Sequence, residues 1–195
     1  MTKKNKYDVI VIGGGHAGIE ASYVSAVMGC KTALVTMNFD TIGKPSCNPS
    51  VGGTAKGHLV KEIDALGGVM GFLTDKAGIQ FKMLNRSKGP AVWSPRAQID
   101  KDLYPQCAYQ LLSNTENLTL VKAIAIEILV ENYKVKGIKT TDGETIYSDA
   151  VVFCPGTFLN GVMFTGTKTT KGGRYGESPS EIISDKLNEF GFERG

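Results

Sequence analysis

The chain is poor in the residues that build metal centres and disulfide frameworks. Its 195 residues include four cysteines, Cys30, Cys47, Cys107 and Cys154, with no C-x-x-C pair, and two histidines, His16 and His58. That set and spacing offer no zinc-type cluster and no bridge framework, so neither structural metals nor structural disulfides are expected. Charge of one sign is also lacking: 22 Lys and Arg stand against 19 Asp and Glu, a net +3, too little by itself to argue for a polyanionic partner. No apolar run approaches the ~20 residues that cross a bilayer. Met1 to Lys6 is too short and polar for a secretory leader, and these readings point to a cytoplasmic chain with no membrane association. Internal repeats and low-complexity tracts are absent as well. What remains, 42% hydrophobic and 21% charged residues, is an ordinary globule able to bury one good core, with room for a small appended lobe.

Against that plain background the start of the chain stands out. Tyr7 to Ile12 is an apolar β-run that breaks into Gly13-Gly14-Gly15-His16-Ala17-Gly18. Gly13, Gly15 and Gly18 fit G-x-G-x-x-G: a tight turn, a close approach of backbone to a pyrophosphate, and close helix–strand packing. Ala17, Ala21, Val24 and Val27 or Met28 predict an apolar stripe on the helix that follows, Gly29 ends it, and Thr32 to Thr36 is the next strand. The unit is β-α-β, which makes the loop Gly13, Gly14, Gly15, His16, Ala17, Gly18 a dinucleotide cradle. His16 is explained by its backbone position in that loop. The acidic residue that usually follows about 20 residues on, to accept from a ribose, is replaced by Thr36-Met37-Asn38, where Asn38 offers an uncharged partner.

Farther along, Asn38 to Gly53 reads as an ordered loop carrying Cys47-Asn48-Pro49. A helix with apolar positions Ala55, Leu59, Val60, Ile63 and Leu66 follows and ends at Gly67-Gly68. Met70 to Pro95 has no clear periodicity. Leu103, Tyr104, Cys107, Ala108, Leu111 and Leu112 share one helix face. Leu118 to Val121, Ile124 to Val130, Lys134 to Thr140 and Glu144 to Tyr147 are successive strands, the last two joined by a turn at Asp142-Gly143. A β-meander over about 124–148 results. Ala150 to Cys154 is a fresh apolar run that returns the chain to the parallel sheet. Lys168, Lys171 and Arg174 fall in a glycine-rich loop, Thr165 to Gly176, that either contacts phosphates or is simply solvated. Ser178-Pro179-Ser180-Glu181 has the form of a capping box opening a helix up to Gly191. The residues beyond Gly191 begin another element, which suggests a piece of a longer protein. The fold class is α/β and Rossmann-like, a parallel sheet plus a β-meander.

The blocks Ser46-Cys47-Asn48-Pro49-Ser50-Val51-Gly52-Gly53 and Gly57 to Gly68 are more specific than the glycine fingerprint. With Ala77 to Phe81, Leu84 to Val92, Arg96-Ala97-Gln98 and Gly156 to Gly161, they closely resemble the glucose-inhibited division protein A (GidA, or MnmG) family along essentially the whole chain. The resemblance implies an FAD-binding fold of the glutathione-reductase type, residues 1–195 forming an amino-terminal FAD-binding domain that stops before a second nucleotide-binding domain. It implies an enzyme that acts with the GTPase MnmE. Together they install an aminomethyl or carboxymethylaminomethyl group at carbon 5 of a tRNA wobble uridine. Methylenetetrahydrofolate would be the one-carbon donor and NADH the reductant, in a homodimer much longer than this chain. It carries FAD contacts to Gly13 through Gly18, to Ala125 through its backbone near the adenine, and to Ser180. Cys47 is the candidate catalytic residue, as nucleophile at carbon 6 of the uracil or as a thiol beside the flavin, with buried packing as the plain alternative. Helix 54–66, beginning just after Cys47, and Lys56 would lower its pKa. Trp93 departs from the family, where a basic residue is common, and Arg96 and Lys88 remain as anion contacts. A related folate-dependent tRNA uridine methyltransferase and a non-catalytic nucleotide-binding module are the competing readings. With a single G-x-G-x-x-G, the chain alone is expected to show no turnover.

Overall fold

A computed structural model describes residues 6–45, 48–156, 161–171 and 190–191. The first unit is strand β1 (Lys6–Ile12), helix α1 (His16–Val27) and strand β2 (Thr32–Thr36). β1 is apolar throughout its second half because it is central: it pairs in parallel with β2 on one side and with the later strand β9 (Thr145–Phe153) on the other. A strand covered on both faces reads as a continuous hydrophobic run rather than an alternating one, and Ile10, Val11 and Ile12 are buried. Of the apolar stripe expected on α1, Ala21 packs half-buried against the core but Ala17 is exposed. Val24, Val27 and Met28 are exposed, and the buried face is Gly18, Ile19, Ser22 and Ala26. Small residues win because they let the helix approach the sheet, with the Ser22 hydroxyl donating back to the Ile19 carbonyl at 3.1 Å. Gly29, at φ +90°, ends the helix as expected.

A second, smaller sheet branches off after β2. Strand β3 (Ser50–Gly52) leads into α2 (Lys56–Ala65), α3 (Met70–Ala77), β4 (Gly78–Leu84) and β5 (Ser94–Ile99). The strands lie in the order β3-β5-β4, all antiparallel. The stretch from Met70 to Pro95, which shows no period, is thus α3 and β4 joined without a spacer, followed by two 3₁₀ turns at Arg86–Lys88 and Pro90–Val92. The apolar face expected on α2 is largely solvent-facing: Leu59 and Leu66 are exposed, and the buried residue of the helix is Gly57. Between Cys47 and α2 stands β3, so the helix does not begin directly after the cysteine.

Helix α4 (Leu103–Ser113) returns the chain to the main sheet, burying Tyr104, Ala108 and Leu112 of the expected face with Cys107 and Leu111 packed beside them, while Leu103, at the helix start, is exposed. Strands β6 (Leu118–Lys122), β7 (Ala125–Glu131) and β8 (Lys134–Thr140) complete a six-stranded sheet in the order β6-β2-β1-β9-β8-β7. β6, β2, β1 and β9 run parallel, whereas β7, β8 and the start of β9 form the antiparallel meander. Gly143 at φ +84° makes the hairpin turn, and its N–H donates to the Thr140 carbonyl. The meander's last strand and the returning strand are one element: β9 pairs with β8 through Thr145 to Tyr147 and with β1 from Tyr147 to Phe153. Apolar side chains cover both faces of the main sheet, Ile19, Leu34, Leu73, Tyr104 and Leu112 on one side and Ile10, Val35, Ile138 and Ile146 on the other. Lys168 lies in a β-hairpin, β10 (Val162–Thr165) with β11 (Lys168–Lys171), rather than in a loop. Arg174 and the capping box at Ser178 lie outside the described residues. No helix among the described residues is long and apolar enough to cross a membrane.

Candidate functional site

The carboxyl ends of β1, β2 and β9 meet at one edge of the sheet, and the chain neighbours of these ends form the site. Order reverses there, since β2 lies to one side of β1 and β9 to the other, and such switch points are where open α/β sheets bind ligands. Gly13 sits at φ +105°, and a Cβ on it would lie 2.1 Å from the Cys154 carbonyl oxygen. Its N–H donates to the Val35 carbonyl at 2.9 Å, and the Cys154 N–H to that of Ile12 at 2.8 Å. The strand ends are therefore laced together by backbone, with no room for a side chain. A Cβ on Gly18 would fall 1.7 Å from the Gly13 carbonyl oxygen, so the third glycine is demanded by the first. Gly14 packs against Thr36 and Ile42, and its carbonyl accepts from the Gly43 N–H at 2.8 Å.

Gly15 is different. It is the N-cap of α1, exposed, with an ordinary φ of −74°, and a Cβ there would meet nothing within 4 Å among the described residues. No backbone strain and no contact among the described residues asks for glycine at this position, and a glycine there leaves room for an external group to approach the backbone. Gly15 has no side chain to cap the first-turn amides, and α1 has no acidic residue in its first turn, so the positive end of the helix dipole faces outward for an anion. The cradle fits a dinucleotide pyrophosphate. His16 is half-buried and set edge-on to Tyr104, ring centroids 5.6 Å apart, and Ala17 is exposed beside it.

Asn38 lies two residues beyond β2, where a ribose partner belongs. Its side-chain oxygen accepts from the Asp40 N–H at 3.2 Å and its carbonyl from the Thr41 hydroxyl at 3.0 Å, which leaves its amide nitrogen as the group to offer outward. Ala125 opens β7 and is buried; two residues earlier, the Ala123 N–H donates to the Thr36 carbonyl at 3.1 Å. That bond brings the 123–125 backbone to the end of β2, on the Asn38 side of the cradle. Cys47 and Ser180 lie outside the described residues. The loop that holds Cys47 is anchored downstream to the smaller sheet, where the Pro49 carbonyl accepts from the Ile99 N–H at 2.8 Å. Gly52, at φ +88°, lets the loop press on Pro95, whose carbonyl would be 2.4 Å from a Cβ there. Ala55 carries a positive φ of 63° with ψ −49° at the start of α2, a conformation rare for any residue with a Cβ.

Residues missed in the sequence support the site from behind. Glu20 of α1 accepts from the Val69 N–H at 3.0 Å and the Met70 N–H at 2.7 Å, capping α3 across 49 and 50 residues of chain. Tyr104 is pushed above its ordinary pKa by burial and then by the nearby Glu20 charge. Asp100 accepts from the N–H groups of Leu103 and Asp102 at the start of α4, and those bonds hold its carboxyl below the usual carboxylate range. For Asp100 the overlooked signal is an acidic residue three positions before the apolar periodicity of α4; the Glu20 cap has no local signal.

The match to known proteins decides the family. A model of glucose inhibited division protein A matches residues 8–195. The chain belongs to the glucose-inhibited division protein A family. A relative from Thermodesulfovibrio yellowstonii, named tRNA uridine 5-carboxymethylaminomethyl modification enzyme MnmG, is 53% identical over 195 residues, all of this chain and 31% of the relative. Its namesake from Aquifex aeolicus is 52% identical over 96% of the chain and 30% of its own length. The crystal structure of Aquifex aeolicus GidA superposes with a TM-score of 0.93 at 51% identity, covering 99% of this chain and 32% of that one. A GidA-related protein from Thermus thermophilus, TM-score 0.68 at 23% identity, shares the fold. The chain spans about a third of the length of the curated relatives it matches. Its Rossmann-like sheet with a meander is thus the architecture of the amino-terminal part of GidA.

Proposed function

We propose that this chain is the FAD-binding part of an enzyme that modifies carbon 5 of the tRNA wobble uridine. The observation that carries the cofactor reading is the contrast among the three fingerprint glycines: Gly13 and Gly18 are required by the chain itself, whereas Gly15, at a helix amino end, meets none of the described residues. First-turn amides of α1 hold the diphosphate, each favourable charge contact with the dipole contributing roughly 0.3 to 1 kcal/mol. Asn38 offers its amide to a ribose, the Ala125 backbone meets the adenine, and Ser180 supplies a hydroxyl to an anion. Bound flavin supplies two-electron redox chemistry. Around 50% identity to relatives named for the carboxymethylaminomethyl modification favours that product over the related methyl transfer.

Carried over from the family, the whole protein is a homodimer acting with the GTPase MnmE, methylenetetrahydrofolate and NADH to install an aminomethyl or carboxymethylaminomethyl group. Cys47 is the residue of this chain proposed for chemistry. Its thiolate adds to carbon 6 of the uracil, the ring double-bond pair moves toward carbon 5, and carbon 5 becomes the nucleophile. Loss of the carbon 5 proton then expels the thiolate once substitution is complete.

Visible absorbance of the freshly purified chain, followed by FAD titration with NAD as competitor, tests the cofactor reading. Co-purified flavin or selective FAD binding would show that residues 1–195 form a competent cofactor domain; a folded chain that ignores FAD would mean that sequence outside them completes the site, and a flavin-free whole protein would overturn the reading. Replacing Cys47 by Ala in the whole protein should abolish uridine modification while flavin content stays unchanged, and full modification by that variant would remove Cys47 from the mechanism.

A further inference from the structure

Away from the glycine cradle, the smaller sheet and its helices enclose an open cleft of about 460 Å³. Lys61 of α2, Lys82 of β4, Arg86 of the 3₁₀ turn and Arg96 of β5 line it, with Asp64 and Asp75 on the helical wall. None of these four cations is in an ion pair among the described residues. Lys82 and Arg96 are direct register partners across β4 and β5. Like charges placed opposite one another on an antiparallel pair destabilise it, and fold stability gives no reason to keep them. Gly57 walls the cleft closely: a Cβ there would lie 2.8 Å from the Pro95 carbonyl oxygen.

Two aromatic rings border these cations. Phe81 is 60% exposed and also lines the cleft. Trp93 is 44% exposed, and its indole N–H donates to the Arg86 carbonyl at 3.2 Å, which fixes the ring next to that arginine. Donors for one compact anion converge on a point, as first-turn amides do at a helix amino end. Here cations from four separate elements are spread along an open groove with exposed rings, the arrangement that tracks a nucleic-acid backbone and stacks its unpaired bases.

We infer that this cleft is an RNA-binding surface, in which Lys82, Arg96, Arg86 and Lys61 contact successive phosphates of an unpaired strand while Phe81 or Trp93 stacks a base. Asp64 and Asp75 repel phosphate and keep the strand on the sheet side. The inference rests on the tRNA reading above, and it locates part of the substrate surface within this chain. It also accounts for the opposed pair Lys82 and Arg96, whose mutual repulsion is relieved by the phosphate.

Binding of a fluorescein-labelled anticodon stem-loop RNA with uridine at the wobble position, followed by anisotropy in the flavin-loaded whole protein, tests it. Lys82→Gln with Arg96→Gln should weaken binding at least about tenfold and flatten the slope of log affinity against log salt by about 1.4 to 1.8, two phosphate contacts' worth. The same variant should melt no lower than the parent without RNA and slightly higher if the repulsion is felt. Lys61→Gln with Arg86→Gln provides a second pair off the opposed position. Lys134→Gln with Lys139→Gln, on the meander, should change neither reading. Parent and both cleft variants binding RNA with equal affinity and slope would overturn the cleft and leave the tRNA reading standing. A flavin-loaded parent that does not bind the RNA overturns both.

Discussion

Gly15 and Gly18 sit three residues apart in the same loop, yet replacing them with alanine should have opposite consequences. At Gly18 the new methyl would lie 1.7 Å from the Gly13 carbonyl oxygen, more than an ångström inside the 3.0 Å that real Cβ contacts respect. Neither partner is a flexible side chain, so α1 must move off β1 and loosen the buried contacts of Ile19 and Ala26. Overpacking of this kind costs typically 1–3 kcal/mol, and with backbone on both sides the upper end applies. That corresponds to a loss of about 6–12 °C in melting temperature for a chain this size. At Gly15 the φ of −74° suits alanine and its Cβ meets nothing among the described residues. The gain from a stiffer unfolded chain, about 0.4–1 kcal/mol, is offset by alanine's weakness as an N-cap, so stability should stay within about 0.5 kcal/mol of the parent. FAD affinity, however, should fall at least about a hundredfold, roughly 2.7 kcal/mol, because the methyl occupies the path of the pyrophosphate. Thermal melts and flavin titrations on both variants separate the effects. A Gly15→Ala protein that binds FAD like the parent would refute the cradle; a Gly18→Ala protein that melts like the parent would refute the packing argument.

Other expectations follow from the supporting residues. Glu20→Ala leaves the Val69 and Met70 N–H groups without their acceptor, a loss of about 1–3 kcal/mol, and hydrogen exchange at those two amides should accelerate more than at α1. Asp100 has a folded pKa below its unfolded value, so its contribution is present above the ordinary carboxylate value of about 3.9 and disappears as pH falls through the lowered one. Asp100→Asn should therefore melt below the parent at pH 7 and converge with it as the solution is acidified past the ordinary carboxylate value; a gap that acidification leaves unchanged would sink the assignment. Ala55→Gly relieves a positive φ and should raise stability by about 1 kcal/mol, read as a melting temperature higher by about 2–4 °C.

Much of the frame was legible residue by residue. Thr32 to Thr36 and Lys134 to Thr140 are strands with the bounds their patterns suggest, and Asp142-Gly143 makes the hairpin turn, helped by the Thr140 hydroxyl donating to the Asp142 carboxylate. Periodicity failed where close packing overrode hydropathy. α1 turns Gly18, Ser22 and Ala26 inward because they are small, which no hydrophobic stripe reports. α2 leaves Leu59 and Leu66 exposed although they sit at helical spacing. The junction of α3 and β4 had no signal because Gly78 switches the backbone to φ −70° and ψ 130° with no intervening turn, and most of β4 is an exposed edge strand without alternation.

By itself the sequence determined where the backbone must turn and approach closely. A glycine at positive φ, or one whose Cβ has no room, is a local requirement of the chain, and so Gly13 and Gly18 announce the cradle before any coordinate exists. Only the tertiary structure decided what meets across distance: Glu20 with the amino end of α3, Lys82 with Arg96, and β9 passing from the meander to β1 within one strand. Those pairings depend on register and on which elements share a face, and neither is encoded in the neighbours of any one residue.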